Sequence, residues 1–201
     1  MSFEPLVMPF QDKPFNGDTT ITREFLALKE KFDIKVAIET GTCLGYTTLW
    51  LAENFEMVKS VESHPEYFAI AKNRLKDMTN VELVQGKSEL NLPSMLVDGM
   101  RSIFFLDAHW GEACPLEEEL DIIAWYTETE HPILEPIIAI HDFQVPDNPD
   151  LGYDSYKDQP FTFEWLKRKF DGIYGKGNYT HYYNSELEGA QRGIIYVIPK
   201  K

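Results

Sequence analysis

The sequence predicts an α/β fold: a Rossmann-like, doubly wound, mostly parallel seven-stranded sheet with an antiparallel C-terminal hairpin. Three observations carry this expectation. Short apolar runs alternate with amphipathic helical stretches from Ile34 to Ile140. Four of the first five apolar runs end in Glu39, Glu62, Asp107 and the pair His141-Asp142, and acids at strand ends are costly to bury as core. The last two strand-like runs, 179–183 and 193–198, follow one another with no helix between them, so the parallel alternation breaks at the end of the chain.

Residues 1–20 carry three prolines and mixed polarity and are expected to wrap the surface. Thr22 is the expected N-cap of a helix over 22–32, with Phe25, Leu26, Leu28 and Phe32 near one face. Residues 1–33 are therefore expected as an N-terminal extension and helix, and 34–201 as the main domain of one compact unit. Ile34, Val36, Ala37 and Ile38 form the first strand, closed by Glu39, and Gly41 and Gly45 punctuate a tight turn before a helix over 47–55. A strand, a glycine turn and a helix in that order are expected to place backbone N–H groups and a helix N-terminus around one small cavity.

The second strand, 57–62, ends in Glu62. Ser63 is the expected N-cap and Pro65 the first turn of a helix that faces Tyr67, Ile70, Ala71 and Leu75 inward. His64 reads as a solvated turn residue, with ligand contact as the alternative. A third strand over 81–85 closes at Gly86, and 88–98 reads as a short helix interrupted by proline. The fourth strand, 102–107, leads into Ala108-His109-Trp110-Gly111 and a helix over 114–130 with Leu116, Leu120, Ile123 and Trp125 near helical spacing. Glu117, Glu118 and Glu119 in its first turns favour the helix dipole and are read that way rather than as a metal cluster. The fifth strand, 136–140, delivers His141 and Asp142. Residues 143–160 hold four aspartates and three prolines; the DNPDLG passage lacks the ligand spacing and closing Glu of a calcium loop, so a substrate-side loop is expected. An amphipathic helix over 161–174 precedes the closing hairpin.

A length of 201 residues suits one domain with a sizeable core, and 43% hydrophobic and 13% aromatic content is globular. The formal net charge of −14 argues against a general affinity for nucleic acid or anionic membrane. Cys43 and Cys114 cannot make a disulfide framework and read as space-filling thiols in a reducing compartment, with reactive thiols as the alternative. The opening residues show no basic region followed by an apolar core, and no run approaches membrane-spanning length. The expectation is a soluble, cytoplasmic protein.

With these residues in place, the chain from Ile34 to Pro199 resembles the class I S-adenosylmethionine-dependent methyltransferases. ETGTCLGYT fits that superfamily's acid-x-Gly-x-x-x-Gly-x-Thr motif, Glu62 matches the acid closing its second strand, and the terminal hairpin matches its antiparallel seventh strand. The resemblance implies S-adenosyl-L-methionine as cofactor, with Glu39, Gly41, Thr42, Gly45 and Thr47 around its methionine part. It also implies Glu62 on the ribose hydroxyls, Ser63 beside it, Lys87 and Ser88 flanking the adenine, and Asp107 at the far edge. Glycine lets backbone approach a ligand, and a carboxylate can accept two hydrogen bonds from a cis-diol. A NAD-type Rossmann protein also needs a glycine turn and a later acid, but its Gly-x-Gly-x-x-Gly fingerprint would put glycine where Cys43 stands.

FLDAHWG and AIHDF are similar, more loosely, to metal-dependent O-methyltransferases acting on small molecules such as catechols and sugars. That resemblance implies a divalent cation (magnesium, manganese or similar) on Asp107, His141 and Asp142. His141 departs from the family's carboxylate or amide, and imidazole suits zinc, iron or manganese better than magnesium. His141 is alternatively a base or a supporting partner. His109 is the candidate general base, with a helix cap or a stack on Trp110 as the bland alternative. The expected reaction is methylation of a small-molecule oxygen, with Asp107, His109 and His141 as catalytic candidates and no nucleic acid or membrane partner. A methyltransferase-like module that binds nucleotide or partner without turnover is the second reading. A homo-oligomer is compatible with either.

Overall fold

The computed structural model describes residues 12–109, 114–129, 132–184 and 186–200. The strands are β1 (Val36–Thr40), β2 (Met57–Glu62), β3 (Val81–Gln85), β4 (Ser102–Leu106) and β5 (Ile137–His141), then a small hairpin of β6 (Ser155–Tyr156) and β7 (Gln159–Pro160), then β8 (Tyr179–Tyr183) and β9 (Ile194–Pro199). The helices are α1 (Thr19–Phe32), α2 (Tyr46–Asn54), α3 (Pro65–Arg74), α4 (Ser88–Met95), α5 (Leu116–Thr127) and α6 (Phe163–Tyr174). Seven strands form one sheet in the order β3-β2-β1-β4-β5-β9-β8. All pairs are parallel except β5 with β9 and β9 with β8. This is a Rossmann-like doubly wound sheet, and its strand order reverses between β1 and β4. A crevice at that point, beyond the carboxyl ends of the strands, is where such sheets take ligands.

Each central strand is buried on both faces, which is why β1, β4 and β5 read as unbroken apolar runs. Alternate residues serve opposite layers. Val36, Ile38, Phe104 and Ile138 join one core with residues of α4, α5 and α6. Ala37, Ile103, Phe105 and Ala139 join the other with residues of α1 and α2. Phe15 seals the second core from a short 3-10 turn, its ring 5.0 Å from Phe25, 5.1 Å from Phe105 and 5.2 Å from Trp50.

Several local expectations are corrected. α1 starts at Thr19, because the Asp18 carboxylate accepts the N–H groups of Thr20 and Ile21; Thr22 lies inside the helix. His64, not Ser63, holds the N-cap position of α3, with Pro65 in the first turn as expected. Ile70 and Trp125 face outward, at 37% and 63% exposure, since only one stripe of α3 and of α5 meets the sheet. α5 ends at Thr127, short of Glu130, which lies outside the described residues. Trp110 and Gly111 lie outside them too. The excursion after β5 is not all loop, since β6 and β7 pair within it. No described helix is long and apolar enough to cross a membrane.

Candidate active site

The turn from β1 to α2 is built by Gly41 and Gly45, both at positive φ (86° and 80°), where an L side chain is strained. A Cβ on Gly41 would stand 2.7 Å from the Asp107 carbonyl carbon, so this glycine lets the turn lie against the end of β4. The turn leads into the N-terminus of α2 as expected, but four of its own N–H groups are used within the fold. Gly41 and Thr42 donate to the Val61 carbonyl (3.0 and 3.2 Å), Gly45 donates to Thr42 (2.9 Å), and Cys43 donates to Glu62 Oε2 (2.7 Å). Glu62 is thereby fixed at the β2 carboxyl end, its other oxygen taking the His64 N–H at 2.7 Å. Each carboxylate oxygen keeps a further lone pair. Burial raises the Glu62 pKa, moderated by those N–H bonds.

Two more acids lie beneath the crevice on opposite faces of β1. Glu39 is 1% exposed; its Oε2 accepts from Ser60 Oγ (2.6 Å), which the β1–β2 register sets beside it, and from Thr48 Oγ1 of α2. Its Oε1 meets no protein donor, and burial lifts its pKa to about 8. On the other face, Thr40, Ser88 and Glu119 converge. Glu117, Glu118 and Glu119 all lie in the first turn of α5 as expected, with Glu117 3.7 Å from Lys169 and Glu119 buried at 1% exposure. Burial raises the Glu119 pKa to about 7, tempered by the Ser88 and Thr40 hydroxyls. Thr42 turns inward onto Ser60 (2.5 Å), and Thr47 Oγ1 accepts the Phe15 N–H at 2.9 Å, tying the N-terminal segment to α2. Ser63 and Lys87 are exposed at the rim. Burial pushes both thiols, Cys43 and Cys114, up to about 11, which favours the space-filling role.

Across the crevice, the ends of β4 and β5 bring Asp107, His109, His141 and Asp142 together. His141 Nδ1 lies 3.3 Å from Asp107 Oδ1 and 3.5 Å from Asp142 Oδ1. His109 Nε2 lies 3.3 Å from Asp142 Oδ2 and 3.8 Å from Asp107 Oδ1, with its ring edge-on to Phe161 at 4.8 Å. Burial alone would lower both histidine pKa values, but the two carboxylates outweigh it: His109 is raised and His141 raised well above the usual imidazole range. Asp142, which burial would raise, is instead held well below the carboxylate range by His141 and His109. Two further residues join the cluster. Arg192, on the loop before β9, donates through Nε to Asp142 Oδ1 and through Nη2 to Asp154 Oδ1. Apart from the cluster residues, Gln144, Val145, Asn148, Phe163, Glu164 and Tyr183 line a half-open cavity of about 420 Å³.

No family model and no curated protein sequence matches the chain. Solved structures do. An O-methyltransferase from Bacillus cereus in complex with SAH is similar at 17% identity and a TM-score of 0.62, over 93% of this chain and 84% of that one. The O-methyltransferase TomG from Streptomyces achromogenes, in complex with SAM, is similar at 16% identity and a TM-score of 0.58, over 90% and 80% of the two chains. A ribosomal RNA methylase from Streptococcus thermophilus is similar at 16% identity and a TM-score of 0.59, over 98% of this chain and all of that one.

The chain has the class I S-adenosylmethionine-dependent methyltransferase fold.

On that fold the residues singled out from sequence fall into two groups. Gly41, Gly45, Glu62, Ser63, Lys87 and Ser88 border the crevice beyond β1, β2 and β3, while Glu39, Thr42 and Thr47 support it through hydrogen bonds to Ser60, Thr48 and Phe15. Asp107, His141 and Asp142 offer ligand atoms all within 4.8 Å of one another, as the metal reading requires, and His109 stands against the same acids. Arg192, Asp154 and the Glu119–Ser88–Thr40 group escaped sequence reading. Only a basic residue next to Gly193 and an aspartate in an acidic loop could have hinted at the first two.

Proposed function

We propose that the chain is an S-adenosylmethionine-dependent methyltransferase acting on a hydroxyl of a small molecule, with a divalent cation held by Asp107, His141 and Asp142. The observation that carries the cofactor choice is the wiring of the glycine turn. The N–H groups of Gly41, Thr42, Cys43 and Gly45 are all used within the fold, so these turn positions do not offer donors to a pyrophosphate. Glu62, by contrast, is held rigid with lone pairs to spare, which suits a ribose diol.

The methyl acceptor would lie against the acid–histidine cluster at the ends of β4 and β5. In the reaction the acceptor oxygen attacks the sulfonium methyl carbon in line, the carbon–sulfur bond breaks to leave a thioether, and the acceptor proton passes to the His109 ring, whose Nε2 donates to Asp142. Asp142 steadies the resulting imidazolium, and Phe161 fixes the ring. A cation on Asp107, His141 and Asp142 would stabilise negative charge on the acceptor oxygen. The donor set of one imidazole and two carboxylates fits manganese or iron better than magnesium.

Calorimetric titration with S-adenosylmethionine, S-adenosylhomocysteine and NAD tests the reading. Binding of the first two and not the third is expected, weakened roughly ten- to hundredfold in Glu62→Ala by loss of charge-assisted hydrogen bonds. Binding of NAD alone would overturn it. Saturable binding of the sulfonium cofactor without transfer to any acceptor class would favour the non-catalytic module. An RNA acceptor is the second reading, favoured by the ribosomal RNA methylase among the similar structures and opposed by the net charge of −14.

A further inference from the structure

We propose that Arg192 is a resident cation that fills a second metal position and thereby limits the site to one divalent ion. The inference rests on the reading that Asp107, His141 and Asp142 hold that ion. Two trios of ligand atoms, each within 4.8 Å, share Asp142: Asp107–His141–Asp142 and His109–Asp142–Asp154. Without Arg192 the pair would form a two-ion site with Asp142 as the bridging carboxylate. The guanidinium instead spans the two carboxylates of the second trio, donating to Asp142 Oδ1 and Asp154 Oδ1. The guanidinium lies close against Gly152, where a Cβ would stand 2.8 Å from Arg192 Nη1. The loops carrying them are stitched together, with Gly152 N–H on the Gln191 carbonyl and Gly193 N–H on the Gly152 carbonyl, both at 2.8 Å.

Charge and chemistry agree with this arrangement. Three carboxylates are balanced by one guanidinium and one divalent ion when both histidines are neutral, whereas a second ion beside Arg192 would leave an uncompensated double positive charge in a buried place. Arg192 is thus a positioning residue that sets how many ions the carboxylates can take.

The test counts Mn²⁺ bound per full-length chain, from the electron paramagnetic resonance signal of free Mn²⁺. Wild type is expected to bind one ion, Arg192→Met two, Arg192→Lys one, and the double variant Arg192→Met/Asp154→Asn one. Gly152→Ala, which pushes the guanidinium off its seat, serves if Arg192→Met does not fold, and is expected to bind two. Two ions in wild type, or a single ion in both Arg192→Met and Gly152→Ala, would overturn the inference while leaving Asp107, His141 and Asp142 as an ion site. No ion in wild type but one in Arg192→Met would overturn it too, since Arg192 would then exclude the first ion rather than a second. No ion in any variant would overturn both.

Discussion

Replacing Glu39 by glutamine keeps the shape of a side chain that is 1% exposed and removes its titration. Burial raises the Glu39 pKa from 4.5 to about 8, against the opposing effect of the Ser60 and Thr48 hydroxyls. Between those two values the folded chain retains a proton that the unfolded chain releases, so stability falls as pH rises through the window and the loss is complete above about pH 8. At about 1.4 kcal/mol per unit, the full loss is on the order of 5 kcal/mol. Glu39→Gln has no such loss. Urea unfolding of both proteins at pH 5 and pH 9 isolates the effect, because other groups cancel in the difference between them. The variant is expected to gain several kcal/mol on wild type between the two conditions, roughly 3–5 after relaxation of the buried site. A wild-type-to-variant difference that does not change between pH 5 and pH 9 would refute the argument, for it would mean that Glu39 is ionised in the fold without penalty.

Gly41→Ala combines a left-handed backbone position with a contact against the Asp107 carbonyl, and is expected to cost at least about 2 kcal/mol, seen as a fall in Tm of roughly 4–8 °C with weakened cofactor binding. Phe15→Ala removes a 1% exposed ring packed on Phe25, Trp50 and Phe105; a loss of about 3–5 kcal/mol in chemical denaturation is expected. With both thiols pushed to about 11, roughly one molecule in a thousand carries a thiolate at pH 8, so iodoacetamide should label the native chain far more slowly than the urea-unfolded chain.

Apolar runs of five residues separated by helical stretches state a parallel α/β sheet by themselves, since each strand buried on both faces must be apolar throughout. The acids closing those runs were legible for the same local reason, each breaking an apolar run at or near the strand's carboxyl end, though Glu39 and Glu62 are themselves buried. Gly41, Gly45 and Glu62 were readable as a cofactor crevice by motif. What the glycine turn does with its N–H groups was not, because their acceptors, Val61 and Glu62, lie on another strand.

The sequence by itself determined the order of elements, the placement of Glu39, Glu62, Asp107 and His141-Asp142 at one rim, and so the address of the site. Tertiary structure decided the chemistry at that address. Asp142 meets His109 across 33 residues and Arg192 across 50, because β4 and β5 lie side by side and β9 returns antiparallel beside β5. Burial, another property of the assembled chain, made Glu39 and Glu119 near-neutral acids rather than solvated carboxylates. Periodicity and motifs report on the chain's own neighbours; charge pairing and desolvation depend on which distant segments the sheet brings together.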